Sequence, residues 1–197
     1  MPLVPPLEEA ELDPALREMV QFFKGPLGVI PNSVRTMAHV PEIAAAFTAL
    51  NRAVMAPRGR VTPEFKRLLG YASSFASGCR YCQAHMILAS ERFGASEARL
   101  DAVWNFEESP AFDPAEKAAL AFARAATEVP SGVTDAHWQA LRAHWAPAEI
   151  VEIMGVVALF GYLNRWNDSM GTTLEDLPRS KGEARLVPTG WSVGKHI

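Results

Sequence analysis

Two cysteines three residues apart, Cys79 and Cys82, carry the clearest chemical signal in this sequence. They are the only cysteines in the 197 residues, and His85 follows the second by three positions. Gly78 ends the helical pattern before them and Ser77 is a preferred capping residue, so a helix is predicted to start at or near Cys79. On that helix the two sulfurs and the imidazole share one face, because residues three apart are neighbours there.

This placement predicts a redox-active pair. The Cβ atoms of helical residues three apart lie ~5–6 Å from each other and a disulfide needs ~3.5–4.5 Å, so a small adjustment in the first turn closes the bond. The positive end of the helix dipole, together with Arg80, is expected to favour the thiolate form. His85 is expected to relay a proton to or from Cys82.

Two other interpretations of the motif stay open at this stage. A structural zinc site takes four ligands, whereas Cys79, Cys82 and His85 supply three, so structural zinc is disfavoured. The remaining histidines are scattered along the chain, at His39, His137, His144 and His196. The other interpretation is simple packing, since cysteine is among the most buried residue types. The capping signal, the arginine and the histidine favour redox chemistry.

Composition and charge exclude several classes of function. A hydrophobic fraction of 49% with 21% charged residues is typical of a globular protein. The net charge of −3 indicates neither a nucleic-acid partner nor an acidic membrane surface. There is no secretory leader pattern, and the longest apolar run, 153–163, is shorter than the ~20 residues that span a bilayer. We therefore expect a cytoplasmic protein without a membrane partner, where a close cysteine pair indicates chemistry or metal binding.

The elements that position the cysteines are predicted to be helical. Capping side chains precede prolines at 13–14, 62–63 and 113–114, apolar residues recur every three or four positions, and alternating β-branched runs are absent. The fold class is therefore all-α, with about eight helices and a shorter one beyond them. The predicted ranges are 7–23, 40–55, 63–76, 79–93, 96–106, 114–128, 134–144 and 147–163.

One domain is expected over residues 1–177, followed by an extended tail over 178–197. Trp191 in this tail indicates docking onto another surface, such as a neighbouring subunit, or a partly disordered end. The segment 25–32 is expected to be a turn-rich loop. The polar cluster 164–168 either lines a site opening or an oligomer contact, or ends the helix through an internal ion pair between Arg165 and Asp168.

The segment 62–94, with Gly-Cys-Arg-Tyr-Cys-Gln-Ala-His at its centre, resembles the core of the alkylhydroperoxidase D and carboxymuconolactone decarboxylase superfamily. Residues 160–168 are similar to the C-terminal helix of its peroxidase-related members, and the resemblance covers about residues 20–175. It implies an all-α fold that forms homo-oligomers and needs no metal, haem or flavin cofactor. It also implies that Cys82 attacks a hydroperoxide and becomes a sulfenic acid, that Cys79 then forms a disulfide with it, and that an external dithiol partner reduces this disulfide.

Two positions depart from the family pattern. The peroxidase members carry a glutamate at the position of Arg67 and a histidine at that of Met86, and these groups form their proton relay. Here His85 and Glu64 are expected to replace the relay, and Arg67 to stabilise the thiolate by charge. The departures leave two alternatives to a thiol-dependent peroxidase. One is a lyase of the lactone-decarboxylating branch, which generally lacks the cysteine pair, acting through His85. The other is a redox-sensing protein without catalysis.

Overall fold

The computed structural model describes residues 2–197, and within them every regular element is a helix. The eleven α-helices are α1 (Pro14–Val20), α2 (Lys24–Leu27), α3 (Asn32–Met37), α4 (Pro41–Met55), α5 (Pro63–Ser77), α6 (Arg80–Arg92), α7 (Glu97–Leu100), α8 (Pro114–Thr127), α9 (Asp135–His144), α10 (Pro147–Met170) and α11 (Asp176–Arg185). Short 3-10 turns occupy Glu9–Glu11, Gln21–Phe23, Val103–Asn105 and Val187–Thr189. The predicted all-α class is confirmed.

Three helices begin where the capping signals predict. Asp13 accepts hydrogen bonds from the first free backbone N–H groups of α1, and Thr62 accepts one from the N–H of Phe65 in α5. At the start of α8, Asp113 and Glu116 form a reciprocal capping box. These caps satisfy backbone donors that have no partner inside the helix, so each helix start is encoded locally.

A single tight turn places the cysteine pair. Gly78 adopts a left-handed conformation, with φ of +75°, which ends α5 and favours glycine. The N–H of Cys79 bonds to the carbonyl of Ser74, and Cys79 itself is the residue that precedes α6. Ser77 is therefore the last residue of α5, and the prediction that it caps the next helix is wrong. Because only two residues separate the helices, α6 packs directly against α5.

Helix α10 crosses α5 at a position where only glycine fits. A Cβ atom at Gly70 would lie 2.5 Å from Cε2 of Phe160. The inner face of α10, with Ile153, Val156 and Phe160 buried, covers α5 and α6. This crossing brings α10 alongside the first turn of α6, where the cysteines lie.

Several boundaries differ from the sequence prediction. The expected helix over 7–23 is broken at Asp13–Pro14, because Asp13 caps a new helix there. The expected loop over 25–32 contains α2 and leads into α3, with Gly28 ending α2 at φ of +78°. The expected helix over 96–106 is divided into α7 and a 3-10 turn. Helix α10 continues to Met170, because its polar residues Asn164 and Asn167 are buried rather than solvated.

The C-terminal segment is not extended. Residues from 178 onward complete α11 and pack on the chain itself, with Trp191 only 5% exposed. The indole N–H of Trp191 donates to the carbonyl of Arg80 at 3.0 Å, and its ring lies over Gly182. Asp168 pairs with Lys195 of this segment at 2.9 Å, not with Arg165. The extended tail is thus replaced by a segment docked beside the start of α6.

In the described part of the chain, α10 is the one helix that is long and apolar enough to cross a membrane, by length and composition alone. It runs for 24 residues, longer than the predicted 147–163, and the apolar run 153–163 forms its middle part with most of its large side chains buried. A buried core helix passes the same test, and α10 packs against α4, α5, α6 and α8. Its Glu152 also pairs with the fully buried Lys66 at 2.8 Å.

We predict that Gly70→Ala lowers the free energy of unfolding by about 1–3 kcal/mol, because the added methyl group overlaps the ring of Phe160. Urea unfolding followed by circular dichroism measures the change. Gly161→Ala on α10 is the matched control: a Cβ there meets no atom within 4 Å. It should leave stability unchanged or raise it by up to ~1 kcal/mol, the difference in helix propensity. Equal effects of the two substitutions would contradict the tight crossing.

Candidate active site

One cavity of about 500 Å³ opens between α2, α3, α4, α5, α6 and α10. Its walls are mainly apolar and include five phenylalanines, at positions 22, 23, 47, 93 and 160. Four polar side chains lie together at one end, Tyr81, Cys82, His85 and Asn167. The volume is in the range of small-molecule sites, which run from about 300 to 1,000 Å³. A few polar groups in an apolar cavity are typical of a site where one part of a ligand reacts.

The two cysteines differ in their access to this cavity. Both are buried free thiols, with Cys79 0% and Cys82 2% exposed. Cys82 lines the cavity and Cys79 does not. The side chains are close enough to hydrogen-bond to each other, and Asn167 Nδ2 donates to Cys82 Sγ at 3.4 Å. A molecule in the cavity therefore meets Cys82 first.

Burial raises the pKa of Cys82 well above its ordinary value, and the neighbouring Cys79 raises it further. The hydrogen bond from Asn167 favours the thiolate but does not reverse the shift. The expected stabilisation by Arg80 is absent because its guanidinium turns outward and bonds to Ser192 in the C-terminal segment. Cys82 therefore rests as a thiol at neutral pH, contrary to the sequence prediction, and needs a base in order to react.

His85 has a buried carboxylate partner that the sequence did not reveal. Its Nε2 lies 2.7 Å from Glu175 Oε2. Glu175 Oε1 accepts a second hydrogen bond from the hydroxyl of Tyr81, at 2.9 Å, and a third from the backbone N–H of Asn32. Burial alone raises the pKa of Glu175, but the net shift is downward because His85 and Asn32 stabilise the carboxylate. Burial and the nearby Glu175 raise the pKa of Tyr81, which keeps it a donor.

This arrangement sets the tautomer of the imidazole. A carboxylate only accepts hydrogen bonds, so the proton of a neutral His85 sits on Nε2 and its Nδ1 is left as a base. His85 lies one turn after Cys82 on α6, and both line the cavity. The pair His85–Glu175 therefore lies on the same cavity as the thiol and presents a carboxylate-bound imidazole that can accept a proton.

The two other predicted relay residues lie elsewhere. Glu64 pairs with Arg99, at 2.7 Å, and Arg99 also pairs with Glu116. Glu64 is not among the cavity residues, so its expected part in the relay is not supported. It stabilises the packing of α5 against α7 and α8 instead.

Arg67 does line the cavity, but at the end away from the sulfur. Its Nη1 donates to the carbonyl of Pro63 at 2.6 Å, and its Cζ lies 3.6 Å from the ring centroid of Phe93. Phe93 follows Cys82 by eleven residues, which corresponds to roughly 16 Å along α6. The expected role of Arg67 in stabilising the thiolate is therefore not supported.

Three functional side chains were missed by the sequence analysis. Tyr81 and Asn167 lie inside the segments that carry the family resemblance, but nothing in the sequence assigns them a role. Glu175 is ninety residues from His85 and precedes α11, where the sequence predicted a shorter helix without bounds. No local spacing connects them, so only the fold reveals the contact. In the described part of the chain, no three His, Cys, Asp or Glu side chains form a group able to hold a metal ion.

Comparisons with known proteins show what this chain is similar to. The sequence model of the carboxymuconolactone decarboxylase family matches residues 41–125. The crystal structure of the debrominase Bmp8 is 31% identical, covers 92% of this chain and 96% of its own, and superposes with a TM-score of 0.86. A cysteine-to-alanine variant of that debrominase in complex with 2,3,4-tribromopyrrole is also 31% identical, covers the same 92% and 96%, and has a TM-score of 0.87.

Two further relatives extend the comparison. A peroxidase-related protein from Ralstonia eutropha JMP134, described as an alkylhydroperoxidase AhpD core, is 26% identical over 90% of this chain and 94% of its own, with a TM-score of 0.78. The uncharacterized protein YnjA of Escherichia coli K12 is 25% identical over 177 residues, which are 89% of this chain and 96% of that protein.

We predict that Glu175 makes the free energy of unfolding depend on pH in the acidic range. Its pKa is lower in the folded than in the unfolded chain, so the unfolded state binds more protons and stability falls as the pH drops below about 4.5 toward the folded value. Urea unfolding between about pH 6 and pH 3 should therefore show a steep loss of stability in the wild type. Glu175→Gln should give a flatter dependence and lower stability at neutral pH. Glu42→Gln, at an exposed carboxylate on α4, is the control. Parallel slopes in wild type and Glu175→Gln would refute the coupling.

Proposed function

The chain belongs to the carboxymuconolactone decarboxylase family and has the alkylhydroperoxidase D type of helical fold, and on this premise we propose that it is a thiol-dependent peroxidase that reduces apolar organic hydroperoxides. The observation that carries the proposal is the access of Cys82, and not Cys79, to an apolar cavity beside a carboxylate-bound histidine. Named relatives are enzymes, which supports an enzymatic role.

In the first step the base His85 takes the proton of the Cys82 thiol. Glu175 stabilises the imidazolium that forms, because its carboxylate contacts Nε2. The thiolate attacks the terminal oxygen of the hydroperoxide, the O–O bond breaks, and the leaving alkoxide takes the proton from His85 to become an alcohol. Cys82 is oxidised to a sulfenic acid, and the hydroperoxide is reduced.

In the second step Cys79 acts as the resolving thiol. Its sulfur attacks the sulfenic sulfur of Cys82, an S–S bond forms, and the hydroxyl group leaves as water with the proton of Cys79. The side-chain N–H of Asn167 lies against the Cys82 sulfur throughout and stabilises negative charge on it. An external dithiol then reduces the disulfide and is itself oxidised, which restores both thiols.

The thiol cycle also bears on the cellular compartment and on the partner of the protein. Two free thiols that must be restored after each cycle fit a reducing compartment, so we propose a cytoplasmic location and a dithiol partner. Assembly into a homo-oligomer remains a prediction from the family resemblance.

We predict that cumene hydroperoxide, added in equal amount to the reduced protein, removes two thiols per chain, and that dithiothreitol sustains its consumption. Cys82→Ser should abolish consumption because the attacking sulfur is lost. Cys79→Ser should stop after one turnover and leave a sulfenic acid that dimedone traps. His85→Asn should slow the first step by about 10²- to 10⁴-fold, the usual contribution of a general base. Thiol titration and peroxide assays measure these outcomes.

His137→Asn is the matched control, since His137 caps α9 at the exposed Thr134 and should leave the rate unchanged. Consumption that survives Cys82→Ser would exclude the peroxidase and favour the decarboxylase-like lyase. If both thiols are oxidised but no dithiol sustains repeated peroxide consumption, the result would favour the redox-sensing protein.

A second candidate function, reductive dehalogenation of an aromatic ring, is favoured by two observations. Five phenylalanine rings line the cavity, and a debrominase covers nearly the whole chain at 31% identity. As in peroxide reduction, the two thiols supply the two electrons that the substrate takes up. Cys82 thiolate takes bromine from a ring carbon, the carbon takes a proton, and Cys79 displaces bromide to form the disulfide. The ring is reduced and the two thiols are oxidised.

If the second candidate is correct, the reduced protein releases one bromide ion from 2,3,4-tribromopyrrole for each disulfide that forms, and Cys82→Ser releases none. Ion chromatography measures the bromide, and unbrominated pyrrole is the control for oxidation by air. Steady consumption of cumene hydroperoxide without bromide release would reject dehalogenation and retain the peroxidase.

A further inference from the structure

The cavity wall carries positive charge without a matching negative charge. Two arginines line it, Arg52 and Arg67, and no aspartate or glutamate does. Arg52 is exposed and lies over the ring of Phe22, with Cζ 5.5 Å from the ring centroid. Arg67 is buried, with 7% of its surface exposed, and no acidic side chain within residues 2–197 forms an ion pair with it. Its partners are a carbonyl group and an aromatic ring, so its positive charge faces the cavity without an ionic partner.

The contacts of Arg67 hold its guanidinium in place but occupy few of its hydrogen-bond donors. Of its five N–H groups, one on Nη1 donates to the carbonyl of Pro63. The ring of Phe93 covers one face of the guanidinium. Burial lowers the pKa of Arg67 to about 10, so the group stays cationic at neutral pH. A fixed planar cation with free N–H donors matches a carboxylate, which it binds through two parallel hydrogen bonds.

The spacing along α6 between Cys82 and Phe93, whose ring the guanidinium covers, indicates the shape of a ligand that uses both groups. Cys82 lies in the first turn of α6 and Phe93 directly after its last turn, roughly 16 Å apart along the axis. Met86 and Ala89 line the cavity between them. The wall that connects the cation with the sulfur is therefore apolar.

We propose that the cavity binds an elongated apolar carboxylate, whose carboxylate group pairs with Arg67 while its other end reaches Cys82. This inference deepens the proposed peroxidase function and rests on it for the identity of the reaction: the substrate class is the hydroperoxide of a medium- or long-chain apolar acid. The site for the carboxylate itself rests on Arg67, Phe93 and the charge of the cavity. Arg52 at the mouth adds a second positive charge that attracts the anion.

Binding of decanoate and of decan-1-ol to the reduced wild-type protein, measured by isothermal titration calorimetry, tests the inference. Decanoate should bind about 10- to 100-fold more tightly than the alcohol, the usual effect of charge-assisted hydrogen bonds. Arg67→Gln should weaken decanoate binding by a similar factor and leave the alcohol unchanged. Arg67→Lys should restore part of the loss. Arg142→Gln, at an exposed arginine on α9, is the matched control and should bind both as the wild type does.

Equal binding of acid and alcohol by the wild type, or no binding of either, would overturn the inference without the need for any variant. Unchanged decanoate affinity in a folded Arg67→Gln would overturn it as well. The readout involves no turnover, so it separates the two claims. Decanoate binding without peroxide consumption would reject the peroxidase and keep the carboxylate site, and consumption without selective binding would do the reverse.

Discussion

The buried carboxylate of Glu175 is the constraint on which the site depends. It receives hydrogen bonds from Asn32 at the start of α3 and from Tyr81 and His85 on α6. A buried carboxylate without such partners would be strongly destabilising, so these hydrogen bonds stabilise the packing of the three segments. The same three bonds orient the imidazole beside Cys82. One buried carboxylate therefore joins α3, α6 and the chain after α10, and it holds the imidazole that lines the cavity.

Burial of Cys82 has two opposite consequences for chemistry. The apolar walls that would hold a substrate also raise the pKa of the thiol, which weakens it as a nucleophile at rest. Asn167 donates to the sulfur, and in the proposed mechanism His85, held by Glu175, acts as the base. In this arrangement the Cys82 thiol stays unreactive until its proton is transferred to a base. A molecule that merely enters the cavity therefore does not react with it.

The departures from the family relay form a consistent set. Met86, at the position of the family's histidine, is part of the apolar wall, and the base is one residue earlier at His85. Arg67, at the position of the family's glutamate, is a cation at the far end of the cavity. The carboxylate partner of the base comes from Glu175, beyond α10. In the proposed mechanism the proton relay is thus displaced along α6, and Met86 and Arg67 line the cavity.

The sequence by itself determined what short-range chemistry encodes: the all-α class, the helix starts at Pro63 and Pro114, and a cysteine pair at the start of α6. Caps, glycine turns and apolar spacing act within a few residues, so these features need no distant contact. Only the tertiary structure decided the partner of His85, the direction of the Cys82 pKa, the pairing of Glu64 with Arg99 and the docking of Trp191. These depend on burial and on contacts between distant segments, which leave no periodic trace in the sequence.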